Sequence, residues 1–108
     1  MIPEISVEDL AEAFVEGNPP LVIDVREDEE WQTGHLNLPN VVHMPMNSVP
    51  EHLHGLDKNQ SIAVLCKTGP RSAQVTEYLM SQGFMDVKNI TGGLTAWRDE
   101  IDPKINVA

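Results

Sequence analysis

The sequence predicts an α/β fold with a parallel sheet, and three observations predict it. Residues 21–25 and 62–65 are two short apolar runs, typical of strands buried on both faces. The second run ends on the only cysteine and passes at once into a helical pattern. A helix precedes the first run, and a short acidic helix or turn follows it. Helices and strands that alternate in this way favour parallel pairing.

The first helix is expected to begin at Ser6, a residue suited to the N-cap. Asp9, three residues further on, completes a weak capping box. The apolar stripe of this helix consists of Leu10, Ala13 and Phe14. Residues 17–20, Gly-Asn-Pro-Pro, end it before the first strand.

Asp24 is a charge at the carboxyl end of the strand over residues 21–25, and residues 26–31 follow as a short acidic helix or turn. Ligands of parallel α/β sheets bind outside the carboxyl ends of the strands, where Asp24 and Cys66 both fall. Asp24 is therefore expected either to organise the loop after Cys66 or to have a structural role, in which it pairs with Arg71 or caps backbone amides. Arg26 is expected to pair with Glu30 in a structural role.

Cys66 lies where the strand over residues 62–65 gives way to a helix over residues 73–82, which Gly83 ends. The first turn of a helix leaves backbone N–H groups without partners, and these groups and the helix dipole favour an anion such as a thiolate. Lys67 and Arg71 add two cations nearby. This position predicts an activated thiol.

The spacing Cys-x-x-x-x-Arg favours a loop whose amides point inward around an anion. The segment resembles the active loop of the rhodanese-like sulfurtransferases. This resemblance implies that Cys66 accepts a sulfane sulfur as a persulfide. It also implies a loop that binds the donor and stabilises the persulfide, formed by Lys67, Thr68, Gly69, Pro70, Arg71 and Ser72. Related phosphatases have one more residue between Cys and Arg, so the spacing here points to sulfur.

Two further blocks carry the same resemblance. Residues 24–36, with Asp-Val-Arg, Glu-Trp and Gly-His-Leu, resemble a second block of that family, and Gly92-Gly93 with Trp97 resembles a third. The implied fold is rhodanese-like, a central, mostly parallel sheet of about five strands flanked by helices on both faces. Residues 1–108 are expected to form one domain. Residues 37–45 run about two residues longer than the family pattern, which predicts a reshaped turn.

The resemblance implies a two-step transfer through the Cys66 persulfide, with no metal or organic cofactor. The donor is expected to be a small anion such as thiosulfate, and the acceptor cyanide, a thiol or a sulfur-carrier protein. Three alternatives remain open: a phosphatase or arsenate reductase, a non-catalytic interaction or sulfur-sensing module, and an inert buried cysteine. The fold predicts an exposed Cys66 and a buried Trp97. His52 and His54 are only a weak metal signal, because alternate residues of a helix diverge.

Composition limits the partners. With 7 basic and 17 acidic residues, the formal charge is −10, which disfavours nucleic acids and anionic membrane surfaces. The sequence contains no apolar run of membrane-spanning length and no secretory leader pattern. A lone cysteine suits a reducing compartment, so a cytoplasmic protein is expected.

Overall fold

The structure is a computed structural model that describes residues 1–108. Its five strands are β1 (Glu4–Ile5), β2 (Leu21–Asp24), β3 (Val41–His43), β4 (Ile62–Leu65) and β5 (Val87–Ile90). They form one sheet in the order β1-β5-β4-β2-β3. Every neighbouring pair is parallel. The predicted α/β fold with a parallel sheet of about five strands is therefore confirmed.

Four helices connect the strands, and a fifth follows the last strand. They are α1 (Val7–Val15), α2 (Asp28–Thr33), α3 (Val49–His52), α4 (Pro70–Ser81) and α5 (Gly93–Glu100). Short 3-10 turns at Met46–Ser48 and Leu53–Gly55 flank α3. None of the helices is long and apolar enough to cross a membrane.

The sheet separates two apolar layers, one on each face. Alternate residues of β4 belong to different layers, because successive side chains of a strand point to opposite faces. Val64 joins the layer of α3 and α4, which includes Val49, Val75 and Leu79. Leu65 joins the layer of α1 and α5, which includes Leu10, Leu94 and Trp97. The helices thus cover both faces, as predicted.

Several local predictions are confirmed. The Ser6 hydroxyl accepts the backbone N–H of Asp9 at 3.0 Å and caps α1. Trp97 is buried, with 6% of its surface exposed.

The helix after Cys66 begins earlier than predicted, at Pro70 and not at Ala73. Proline is favourable at the first helical position, because its missing N–H would have no partner there and its φ angle already suits a helix. Gly69 precedes it as the N-cap. Arg71 and Ser72 consequently lie in the first turn of α4, and only residues 67–69 form the loop.

Candidate active site

The site lies at the carboxyl edge of the sheet, where β4 gives way to α4. Asp24 pairs in register with Leu65, so the end of β2 lies beside the residue that precedes Cys66. The chain then turns sharply into α4 with Gly69 at φ 126°, a backbone conformation that favours glycine. Strand pairing and this turn together place the cysteine at the start of a helix.

The Cys66 thiol lies beneath the loop. Its Sγ accepts the backbone N–H of Gly69 at 3.0 Å and lies 3.2 Å from the Ser72 hydroxyl. Among the backbone N–H groups of residues 67–72, only that of Gly69 is within hydrogen-bond distance of Sγ. One amide and one hydroxyl therefore hold the sulfur.

The prediction of an exposed Cys66 is wrong. Only 1% of the residue is exposed, and its side chain belongs to the apolar layer that contains Val64 and Val75. The reason is the alternation along β4, which turns Cys66 toward the face covered by α4, and the loop that closes over it. The neighbouring Lys67 and Thr68 are exposed instead.

The N-terminus of α5 fixes the backbone of the loop. The N–H groups of Leu94 and Thr95 donate to the carbonyl oxygens of Cys66 and Lys67 at 2.9 and 3.0 Å. Gly93 permits this approach, because a Cβ at that position would lie 2.5 Å from each of the same two oxygens. Gly93 thus lets α5 approach the loop.

Arg71 forms an ion pair with Glu30 of α2, in place of the expected pair with Asp24. Its Nη1 and Nη2 donate to the two carboxylate oxygens at 2.7 and 2.8 Å. The hydrogen bonds from Arg71 are the largest cause that lowers the pKa of Glu30, from 4.5 to about 2, and partial burial opposes the shift. The same pairing raises the pKa of Arg71. Arg71 therefore keeps its positive charge beside the loop.

Asp24 and Arg26 pair with each other, so the expected pairs Asp24–Arg71 and Arg26–Glu30 are both wrong. The Arg26 Nη2 donates to Asp24 Oδ2 at 2.8 Å, and both side chains are fully buried. Arg26 also donates to the backbone carbonyls of Glu30 and Gly34 at 3.2 and 2.9 Å. Neither side chain forms a hydrogen bond to residues 66–72. Their observed contacts hold α2 against the end of β2.

Aromatic stacking also positions α2. The Trp31 ring lies between those of His35 and His43, with centroid distances of 3.9 and 4.7 Å. Glu30 precedes Trp31 and closes a capping box with the Glu27 backbone. The carboxylate that binds Arg71 is thereby fixed from its own helix.

Ser72 leads to residues that the sequence reasoning missed. The Ser72 hydroxyl lies 2.5 Å from Asn89 Oδ1, and both residues are buried. Asn89 Nδ2 in turn faces the exposed carboxylate of Glu4, at 3.4 and 3.3 Å from its two oxygens. The available signal was an asparagine inside an apolar strand, since a buried amide needs partners.

The arrangement suits nucleophilic chemistry at sulfur. The Gly69 N–H is a donor that stabilises a sulfur anion, and a nearby arginine adds positive charge. Lys67 is exposed beside them, and Pro70 is exposed at the start of α4. The structure therefore brings the seven predicted residues from Cys66 to Ser72 into one compact segment, with the exposed members outside and the sulfur beneath.

Comparison with known proteins gives concordant matches. The rhodanese-like domain family model matches residues 6–100. YtwF of Bacillus subtilis is 42% identical over 103 residues, covering 95% of this chain and 97% of the relative. Thiosulfate sulfurtransferase GlpE of Pseudomonas savastanoi is 32% identical over 78 residues, covering 72% of each chain. The crystal structure of a rhodanese-like domain protein from Staphylococcus aureus superposes with a TM-score of 0.84 at 34% identity, covering 99% of each chain.

Proposed function

Since this chain belongs to the rhodanese-like domain family and is a sulfurtransferase of that family, we propose that it carries sulfur as a persulfide on Cys66. One observation carries the proposal: Sγ accepts the Gly69 N–H at 3.0 Å at the start of α4. This contact stabilises a sulfur anion more than a neutral thiol. The chain contains no second cysteine that would resolve the persulfide as an internal disulfide.

The first step is attack of the Cys66 thiolate on the outer sulfur of thiosulfate. A new S–S bond forms on Cys66, the S–S bond of thiosulfate breaks, and sulfite leaves with its electron pair. In the second step, cyanide takes the outer sulfur as thiocyanate and returns the thiolate. This is the two-step logic of covalent catalysis, and it consumes no external oxidant or reductant.

The residues around Cys66 have separate roles in this scheme. The backbone amides of Lys67, Thr68 and Gly69 surround the outer sulfur, and the exposed Lys67 ammonium attracts the anionic donor. Arg71 orients the donor with the N–H groups that Glu30 does not occupy. Asp24 and Arg26 do not contact the donor, and their role is to hold α2 at the end of β2. In the cell, a thiol or a sulfur-carrier protein replaces cyanide as the acceptor, and a cytoplasmic location suits the free thiol.

Burial of Cys66 favours a second candidate, a non-catalytic interaction or sulfur-sensing module. With 1% of Cys66 exposed, a donor reaches the sulfur only if the residues that cover it move aside. An enzyme therefore requires a mobile loop, whereas a module that only binds partners does not. The two candidates differ in whether Cys66 takes up sulfur.

Intact mass of the reduced protein, before and after thiosulfate and again after cyanide, tests the proposal. We expect a gain of about 32 Da, one sulfur atom, that cyanide removes. The Cys66→Ser variant is expected to gain nothing, because it has no thiol. If that variant still gains sulfur, the site is elsewhere. If the unaltered protein gains none from thiosulfate or from a glutathione persulfide donor, the interaction module is supported. Turnover of an aryl phosphate would instead indicate a phosphatase.

A further inference from the structure

The hydroxyl of Ser72 has one proton and three acceptors within reach. Asn89 Oδ1 lies at 2.5 Å, the carbonyl oxygen of Gly69 at 3.0 Å and Cys66 Sγ at 3.2 Å. All four residues are buried. The Gly69 carbonyl also accepts the Ala73 N–H at 2.9 Å and Sγ accepts the Gly69 N–H at 3.0 Å, whereas Asn89 Oδ1 has only the Ser72 hydroxyl. Since a hydroxyl donates one hydrogen bond, the acceptor that takes this proton withholds it from the others.

The orientation of the Asn89 amide decides which acceptor Ser72 meets. A carboxylate only accepts hydrogen bonds, so Glu4 requires the NH₂ group of Asn89 to face it. The amide oxygen then faces Ser72, and an amide oxygen also only accepts. Glu4 is itself held by the Thr91 hydroxyl at 2.7 Å and lies opposite Asn89 in the β1–β5 pairing. The amide orientation is thus set by a charge on the surface.

We propose that Asn89, oriented by Glu4, is a positioning residue that draws the Ser72 hydroxyl away from the Cys66 sulfur and so regulates formation of the thiolate. The inference rests on the proposed function only in taking Cys66 as the nucleophile. It assigns a role to two residues outside the loop, on β5 and β1.

The hydrogen bonds available in each protonation state of Cys66 show in which direction Asn89 shifts the thiol–thiolate equilibrium. In the thiol state, the Cys66 S–H donates to Ser72 Oγ and the Ser72 O–H donates to Asn89, so every proton has an acceptor. When Cys66 loses its proton to solvent, Sγ becomes an acceptor only. Ser72 can then bond to Sγ only by turning its O–H away from Asn89. Asn89 therefore stabilises the thiol relative to the thiolate, and an open loop that admits the donor must overcome this preference.

The charged groups around the sulfur come from several elements. Arg71 of α4 and Lys67 of the loop favour the thiolate, whereas Glu30 of α2 and Glu4 of β1 disfavour it. The Asp24–Arg26 pair at the end of β2 is internally neutralised. The first turn of α5 contains no ionisable side chain. Removal of any one of these charges shifts the thiol–thiolate equilibrium of Cys66 even when no hydrogen bond changes. The test must therefore separate the effect of charge from the effect of the Ser72 hydrogen bond.

The experiment follows the ultraviolet absorbance of the Cys66 thiolate against pH in the reduced protein, with no sulfur donor present. The chain contains one cysteine, which makes the signal specific. In Asn89→Leu, Ser72 loses its nearest acceptor, and Sγ then competes for its proton only with the Gly69 carbonyl, which already accepts the Ala73 N–H. We therefore expect the titration midpoint to fall by about 0.5 to 1 pH unit. Glu4→Gln frees the Asn89 amide to rotate, and we expect a smaller fall in the same direction. Glu4 is exposed, so this variant keeps the test decisive if Asn89→Leu does not fold.

Two controls separate the explanations. Glu12→Gln removes an exposed carboxylate from α1 that has no bond to Asn89, and we expect no shift. In the Ser72→Ala background, Glu4→Gln is expected to give a clearly smaller fall, because only the loss of the charge then acts on the sulfur. A shift of equal size in that background would show a plain charge effect and overturn the proposal, as would an unshifted midpoint when Ser72 is present. Because no donor is used, failure of sulfur loading leaves this result intact.

Discussion

At the scale of single residues, ionic partners organise the surroundings of the cysteine. The Asp24–Arg26 pair is fully buried, and the Glu30–Arg71 pair is partly exposed. The first is a structural support for α2, because Arg26 also donates to backbone carbonyls there. The second links α2 to the first turn of α4. Loss of Glu30 would release the arginine beside the loop.

We expect Glu30→Gln to lower the free energy of unfolding at neutral pH by about 1 kcal/mol, since the pair is partly exposed and screened by solvent. The pKa of Glu30 is lowered from 4.5 to about 2 in the folded protein. A lowered pKa stabilises the fold above the unfolded value, and this stabilisation is lost as pH falls through the folded value. The stability difference between the two proteins should thus shrink between pH 4.5 and about 2.

Urea unfolding of both proteins at several pH values measures this difference. Glu29→Gln is the matched control, because Glu29 is an exposed neighbour in the same helix and forms no ion pair. A stability difference for Glu30→Gln that does not change with pH would contradict the assignment to the carboxylate.

At the scale of elements, the N-terminus of α5 binds the backbone of the cysteine and of the residue after it. Helix N-termini carry unpartnered N–H groups, and here two of them bind the carbonyl oxygens of Cys66 and Lys67. The segment that begins at Gly92 and Gly93 therefore contacts the active loop through backbone hydrogen bonds. Gly93 is critical to this contact, having a φ of 61° and no room for a Cβ.

Gly93→Ala is expected to lower the free energy of unfolding by more than about 2 kcal/mol, because left-handed strain of about 1 to 2 kcal/mol adds to a backbone clash. Urea unfolding measures the loss. Two matched controls separate the causes. Gly17→Ala has left-handed strain at φ 77° without a clash, and Gly55→Ala has neither. Equal losses for Gly93→Ala and Gly17→Ala would show that the close approach of α5 contributes nothing.

At the scale of the whole molecule, the sheet separates two apolar layers that together stabilise the chain. Cys66 belongs to the layer of α3 and α4, while α1, α5 and the C-terminal Ile105 and Val107 complete the other. The two layers pack on opposite faces of the same strands. We therefore expect one cooperative unfolding transition, in which each layer contributes independently to the free energy of unfolding.

Leu79→Ala and Leu94→Ala test this view, because both side chains are fully buried but lie in different layers. Each is expected to lower the free energy of unfolding by about 2 to 5 kcal/mol. The two losses should add in the double variant to within about 0.5 kcal/mol, as they share no partners. Urea unfolding followed by circular dichroism checks this. A double variant that loses much less than the sum would indicate coupling through the sheet.

The amino-acid sequence alone determined the order of helices and strands, the parallel sheet and the location of Cys66 at a strand-to-helix turn. These features depend on local causes: apolar periodicity, the Ser6 cap, and the glycines and prolines that end elements. Trp97 could be placed in the core for the same reason. The family resemblance added the active-loop residues and the glycine pair.

Tertiary structure alone decided how deep the sulfur lies and which charges meet. Cys66 is buried because its side chain follows the alternation of β4 toward the face that α4 covers, and the loop closes above it. Arg71 meets Glu30, 41 residues away in sequence, because strand order and the stacking of α2 bring them together. Asn89 reaches Ser72 because β5 pairs with β4, the strand that leads into α4. Such pairings depend on crossovers between distant strands, and no local pattern of residues specifies them.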